Sequence, residues 1–439
     1  MNVPDTPVPG RAASRPESAP GKSVTASVSE ASADAGIMAR LGRLWERNPY
    51  AHERTIAPLF AARLTDVAAN RLAHGWCHAY TAAEGKVKRN MLTVLAACAA
   101  QRAAGDPEAA ARLFRRFNNQ ADGLRFLVSL RADMLRWRKQ VSGLPPLDKA
   151  LEGLLSAWFD VGLLELKRLT WDSPASLLEK LIIYEAVHEI QSWDDLKHRV
   201  ASDRRCYAFF HPQMPDIPLI FVEVAFSAQM ADNVQALLDT SQPPQNLDKA
   251  RWAIFYSISN TQPGLRGISF GNFLLKRVID ALVTDLPKLQ RFATLSPIPG
   301  FTEWLARQDG SAVEAIVRDK SRERRRQGVP DGARWVERLR RAAQGNGTEV
   351  VRRAAMKLAA HYLTSLKSGM PADPVARFHL GNGARIERVN WGADRSAKGI
   401  EQSAGLMVNY LYELEALDHN LAQLNDGKPA VGRAFARVS

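Results

Sequence analysis

The hydrophobic period of this 439-residue chain changes near residue 170. Before that point apolar side chains return every three or four residues, as in "LTVLAACAAQRAA", "EAAARLFRRFNN" and "LEGLLSAWFDVGLLELKRL". That spacing lines one face of a helix. Beyond it come short runs rich in aromatic and β-branched residues, "CYAFFH", "PLIFVEVAFS" and "RWAIFYSIS", and then the amphipathic stretch "NFLLKRVIDALVTDL". Strand-like runs alternating with helical ones predict a mixed α/β domain. A chain of this length exceeds one ordinary core. The change of rhythm is therefore read as a boundary: a tail over residues 1–36, an all-helical domain over 37–170 and a mixed α/β domain over 171–439. The tail is rich in Ser, Ala and Pro and has almost no large apolar groups, too few to offset its ordering entropy.

No apolar run is long enough to cross a bilayer, so no membrane partner is expected. Three cysteines, Cys77, Cys98 and Cys206, form no C-x-x-C pair and point to a reducing compartment rather than a disulfide framework. The His and Cys residues lack metal-site spacing, and "HGWCHAY", with His74, Cys77 and His78, reads as a half-buried helical turn. The net charge of +13 suits anionic ligands in general. Its densest run, "RDKSRERRRQG", has no interleaved aromatics and is interrupted by acids, so it predicts the exposed end of a helix and not a nucleic-acid surface. The tail carries Asp5, Glu17, Glu30 and Asp34, which transit peptides avoid, and no apolar signal region, so a cytoplasmic location is expected.

The unit "FYSISNTQPGLRGISFGNFLLKRV" runs from a strand through a loop holding Gly264, Gly267 and Gly271 into a helix. Glycines let backbone N–H groups approach an anion, and the helix N-terminus adds its dipole. Lys276 lies inside the helix, so this is not a Walker loop, and G-x-G-x-x-G is absent. Elsewhere, Ser173-Pro174 reads as an N-cap followed by the first helical position. "ARFHLGNGARIERVNW" reads as a hairpin turning at Asn382-Gly383, and "VNYLYELEAL" as a packed helix. In "ATLSPIPGF" two prolines stiffen the chain directly after Ser296. Taken singly, Ser296 reads as a turn cap, His379 as a hairpin strand residue and Tyr412 as a core residue. His188, His211 and Glu223 sit in apolar settings and are read as structural, since buried polar groups ordinarily have local partners.

The glycine loop resembles the coenzyme A turn of GNAT-type acetyltransferases, R/Q-x-x-G-x-G/A, although Gln262, Gly264 and Gly267 depart from that spacing by one residue. The series "TWDSPASLLEKL", "EAVH", "RRCYAFFHP", "LRGISFGNFLLKRV", "LSPIPGF", "FHLGNGARIERVNWGAD" and "GLMVNYLY" resembles, in order, the malonyl-CoA decarboxylase family. The resemblance implies a helical N-terminal domain used for self-association, as a homotetramer, and a GNAT-like catalytic domain. It also implies conversion of malonyl-CoA to acetyl-CoA and carbon dioxide with no cofactor beyond the coenzyme A of the substrate. Carried over by motif, Ser296 orients the carboxylate or relays a proton, His379 protonates the acetyl carbon and Tyr412 supports them. Coenzyme A contacts fall on Arg266, Gly267, Ile268, Ser269, Phe270, Gly271 and Asn272. Two other readings stand beside this one: an acyltransferase acting on an amine, and a non-catalytic malonyl-CoA sensor or helical scaffold.

Overall fold

The structure is a computed structural model that describes residues 50, 52–63, 65–268, 274–317 and 331–438. The tail and the "RDKSRERRRQG" run lie outside the described residues. Among the described residues of the first half, a short helical turn at Glu53–Ile56 is followed by five longer helices: α1 Asp66–Ala82, α2 Gly85–Ala103, α3 Ala109–Asn118, α4 Gly123–Trp137 and α5 Leu144–Trp158. Their apolar stripes meet in an aromatic cluster in which Trp76 stacks on Phe117 at 5.0 Å and Phe126 meets both edge-on. "HGWCHAY" lies within α1, with His74 and His78 exposed.

An eight-stranded sheet dominates the second half. Strand β1 (Glu165–Leu169) leads through helix α6 (Ala175–Tyr184) to β2 (Arg204–Phe210), β3 (Ile220–Ser227) and β4 (Trp252–Asn260), all antiparallel neighbours. Helix α7 (Leu274–Asp285) then crosses over to β5 (Arg291–Thr294), which lies parallel to β4. Next come β6 (Ser296–Pro297), helix α8 (Glu349–Thr364), helix α9 (Pro374–Gly381), β7 (Arg385–Asn390) and β8 (Met407–Tyr412). Strand β8 pairs antiparallel with β7, β5 and β6. A parallel pair joined by a helical crossover, set in an otherwise antiparallel sheet, is the expected mixed α/β architecture behind an all-helical half. Strands β2 and β3 are buried along nearly their whole length, as their continuous apolar runs require. No helix among the described residues is long and apolar enough to cross a membrane.

Four local readings are corrected. "ELKRL", taken as the end of a helix, is the edge strand β1, largely exposed and therefore rich in charge. Helix α6 starts at Ala175, and the Ser173 hydroxyl accepts the Thr170 N–H instead of capping the helix. The supposed hairpin is a helix, a turn and a strand. Asp373 caps α9 by accepting from Val375 N and Ala376 N, and Pro374 occupies its first turn. Gly383 ends it at φ 79°, with Gly383 N–H bonded to Leu380 and Ala384 N–H to His379. That pair of bonds is a Schellman motif, which demands a left-handed residue just as a hairpin turn does. Finally, the "VNYLY" segment belongs to strand β8, buried at every position, where the sheet and not the sequence period sets the conformation.

Candidate active site

Strand β8 runs beside β5 and β6 in a single register, pairing Leu411 with Ala293 and Val408 with Ser296. Strand β4 follows β5 only as far as Phe255 opposite Thr294, with a last bond from Leu295 N to Phe255 O. Ser296 thus stands where the two parallel strands part. Crevices at the carboxyl ends of such strands are where open α/β sheets bind ligands. A cavity of about 740 Å³ opens there, lined among others by Ser257, Asn260, Ile268, Ser296, Pro297, Arg377, Phe378 and His379.

Helix α9 brings His379 to the same point from across 83 residues of sequence: its Nε2 lies 3.1 Å from Ser296 Oγ. On the other side of the ring Nδ1 lies 2.8 Å from the Tyr412 hydroxyl. Ser296, His379 and Tyr412 are 6%, 2% and 3% exposed. Ser296 Oγ also donates to Thr294 Oγ1 at 2.8 Å, and Thr294 Oγ1 accepts Tyr410 N–H at 3.1 Å. A single proton arrangement satisfies the chain: Tyr412 O–H to Nδ1, Nε2–H to Oγ, Oγ–H onward to Thr294. The ring is sandwiched as well as bonded, stacked on Tyr410 at 4.5 Å with Phe378 edge-on at 5.0 Å. Burial drives the His379 pKa down to about 3, so the imidazole of the free site is neutral at pH 7. That is well below the near-neutral value of a free imidazole. Burial also raises the Tyr412 hydroxyl well above its usual value, keeping it a donor.

Sequence reasoning therefore named three residues that the fold brings into one hydrogen-bonded row. It missed Thr294, which strand alternation places on the same face as Ser296, two residues on. Of the expected coenzyme A contacts, Ile268 lines the cavity, Arg266 and Gly267 are exposed, and Ser269, Phe270, Gly271 and Asn272 lie outside the described residues. Glu223 and His211 have the local partners expected of structural residues: Glu223 Oε2 is 3.0 Å from Arg199 Nη1, and His211 Nε2 is 3.1 Å from Trp158 O. His188 lines a smaller cavity behind Pro297, and its Nε2 has no hydrogen-bond partner among the described residues.

Family models place the chain. The malonyl-CoA decarboxylase C-terminal domain matches residues 162–437 and the malonyl-CoA decarboxylase N-terminal domain matches residues 77–159. The chain belongs to the malonyl-CoA decarboxylase family. It is 40% identical over 334 residues to the mitochondrial malonyl-CoA decarboxylase of Mus musculus and 39% identical to that of Rattus norvegicus. Each match covers 70% of this chain and 66% of the relative, so the chain spans just under two thirds of those proteins. Among solved structures, malonyl-CoA decarboxylase from Cupriavidus metallidurans is 54% identical with a TM-score of 0.79, covering 90% of this chain and all of that one. The enzyme from Rhodopseudomonas palustris is 37% identical with a TM-score of 0.74, covering 88% of this chain and 98% of that one.

Proposed function

We propose that this chain decarboxylates malonyl-CoA, with Ser296, His379 and Tyr412 as its chemical residues. The observation that supports this reading best is the row Tyr412–His379–Ser296 ending in the wall of the cavity. Loss of carbon dioxide from a malonyl thioester sends the electron pair of the breaking C–C bond into the thioester carbonyl, giving an enolate. The carbon then takes one proton. The thioester is never cleaved, so no acyl-enzyme is needed. Ser296, pinned by Pro297 and held through its oxygen by His379 Nε2, turns its one hydroxyl proton from Thr294 Oγ1 to the substrate carboxylate without swinging away. A carboxylate entering beside His379 opposes the burial that keeps the ring neutral, and so favours its protonation. In this scheme the ring takes up a proton from solvent as the carboxylate enters, and the imidazolium delivers that proton to the carbon once carbon dioxide has left. Tyr412 holds the ring in place throughout.

Coenzyme A enters as part of the substrate, its diphosphate meeting the loop from Arg266 to Asn272, and no separate cofactor is required. Self-association as a homotetramer through the helical half and a cytoplasmic location complete the proposal. Light scattering that gives a monomer would overturn the first of these. The decisive assay incubates the purified protein with malonyl-CoA and no acceptor. Acetyl-CoA and carbon dioxide must appear in equal amounts. Their absence, with acyl transfer once an amine is supplied, would replace this reading with an acyltransferase.

A further inference from the structure

The helical half reaches the glycine loop through one buried guanidinium. Arg131, on α4, is 2% exposed. Its Nε donates to Asp148 Oδ1 at 2.8 Å, and its Nη2 lies 3.4 Å from Glu152 Oε1. Those two carboxylates, both on α5, more than offset its charge and fix the guanidinium plane. The remaining arm crosses to the other half of the chain: Nη1 donates to Gly264 O at 2.8 Å and to Arg266 O at 2.9 Å. The loop is also pressed against α4. A Cβ on Gly264 would overlap the carbonyl oxygen of Val128, so only glycine permits the approach.

Holding the Arg266 carbonyl has a consequence on the far side of its peptide. Every described peptide is trans, and in a trans peptide C=O and N–H point in opposite directions. With the Arg266 carbonyl turned toward α4, the Gly267 N–H is turned away from it. The neighbouring amides are already used inside the loop: Leu265 N–H bonds Gln262 O, Arg266 N–H bonds Pro263 O and Ile268 N–H bonds Leu265 O. Gly267 N–H has no partner among the described residues, and Gly267 is exposed at φ 83°. We infer that Arg131 is a positioning residue for coenzyme A: it orients the Arg266–Gly267 peptide so that the Gly267 N–H is presented to a phosphate oxygen of the coenzyme's diphosphate. The inference rests on the coenzyme A reading of this loop given above. It gives the helical half a part in substrate binding besides self-association.

The test compares substrates with and without the diphosphate, in the full chain. Arg131→Gln should raise KM for malonyl-CoA about tenfold or more with kcat within about threefold of the parent, because a donor is lost from binding and none from the chemistry. With malonyl-pantetheine, which lacks the diphosphate, kcat/KM should stay within about twofold. Arg131→Lys keeps the charge and loses the planar fork, so it should show most of the same defect. If Arg131→Gln folds poorly, Asp148→Asn loosens the guanidinium more gently and should give a smaller rise of the same selective kind. Equal losses with both substrates, or no loss with either, would overturn the inference. Calorimetric titration with coenzyme A and with pantetheine reports the loop even without turnover, so failure of decarboxylation and failure of this inference are separable. A parent protein that binds both equally well would refute the coenzyme A reading of the loop and the role of Arg131 with it.

Discussion

Replacing Tyr412 by Phe removes one oxygen and leaves the ring volume in place. That oxygen lies 2.8 Å from His379 Nδ1, and both residues are at most 3% exposed, so no bulk water can substitute for it. A buried acceptor stripped of its donor costs about 1–3 kcal/mol. Without the Tyr412 hydroxyl the ring also loses what fixes its tautomer, and the Nε2–H aimed at Ser296 becomes one of two alternatives. If the loss falls on the transition state, about 1.36 kcal/mol per decade converts it to about a 5- to 150-fold fall in kcat. KM should change little, since Tyr412 does not line the cavity. The assay is acetyl-CoA formation from malonyl-CoA under saturation, followed chromatographically, with a thermal melt as a control for folding. A Tyr412→Phe protein that melts like the parent and turns over within twofold of it would refute the idea that the hydroxyl acts through His379.

Other outcomes follow from the same geometry. Ser296→Ala should lower kcat on the order of a hundredfold while coenzyme A binding stays within about threefold; a variant impaired only in binding would make Ser296 a ligand contact and no more. His379 takes up a proton near pH 3 in the fold but near pH 6.5 once unfolded, so the unfolded state binds more protons between those values and stability falls as the solution is acidified. Against His379→Gln, the parent should therefore lose stability by up to about 1.4 kcal/mol per pH unit between pH 6.5 and 5 in urea titrations; parallel curves would contradict the lowered pKa. Arg199 is 1% exposed and pairs with Glu223, itself 0% exposed, at 3.0 Å, and with Asp195 at 2.9 Å. Arg199→Met should cost about 3–5 kcal/mol in chemical denaturation by stranding a buried carboxylate, and a cost below 1 kcal/mol would show that Glu223 finds another partner or a proton.

The strand, glycine loop and helix around residues 252–285 were legible because each carries its own signal: aromatic and β-branched residues, then glycines, then a period of three to four. The misread segments failed for definable reasons. An Asn-Gly pair serves a hairpin turn and a Schellman cap equally, since both require a left-handed residue, so α9 was hidden behind Gly383. "MVNYLY" is a short run of mostly apolar residues, and such runs carry no usable period; burial between β5 and β7 made it a strand. "ELKRL" is so charged because it is an edge, which no periodicity reveals.

By itself the sequence determined that a helical half precedes a strand-rich one, that a glycine loop follows β4, and that Ser296, His379 and Tyr412 stand in a familiar series of motifs. Only the tertiary structure decided that these three form one row, and that Arg131 grips a loop 133 residues further along the chain. It also decided that His379 is neutral in the free site. The reason is physical: local propensity is written in neighbouring residues, whereas contact and burial belong to the packed whole, and burial is what moves a pKa.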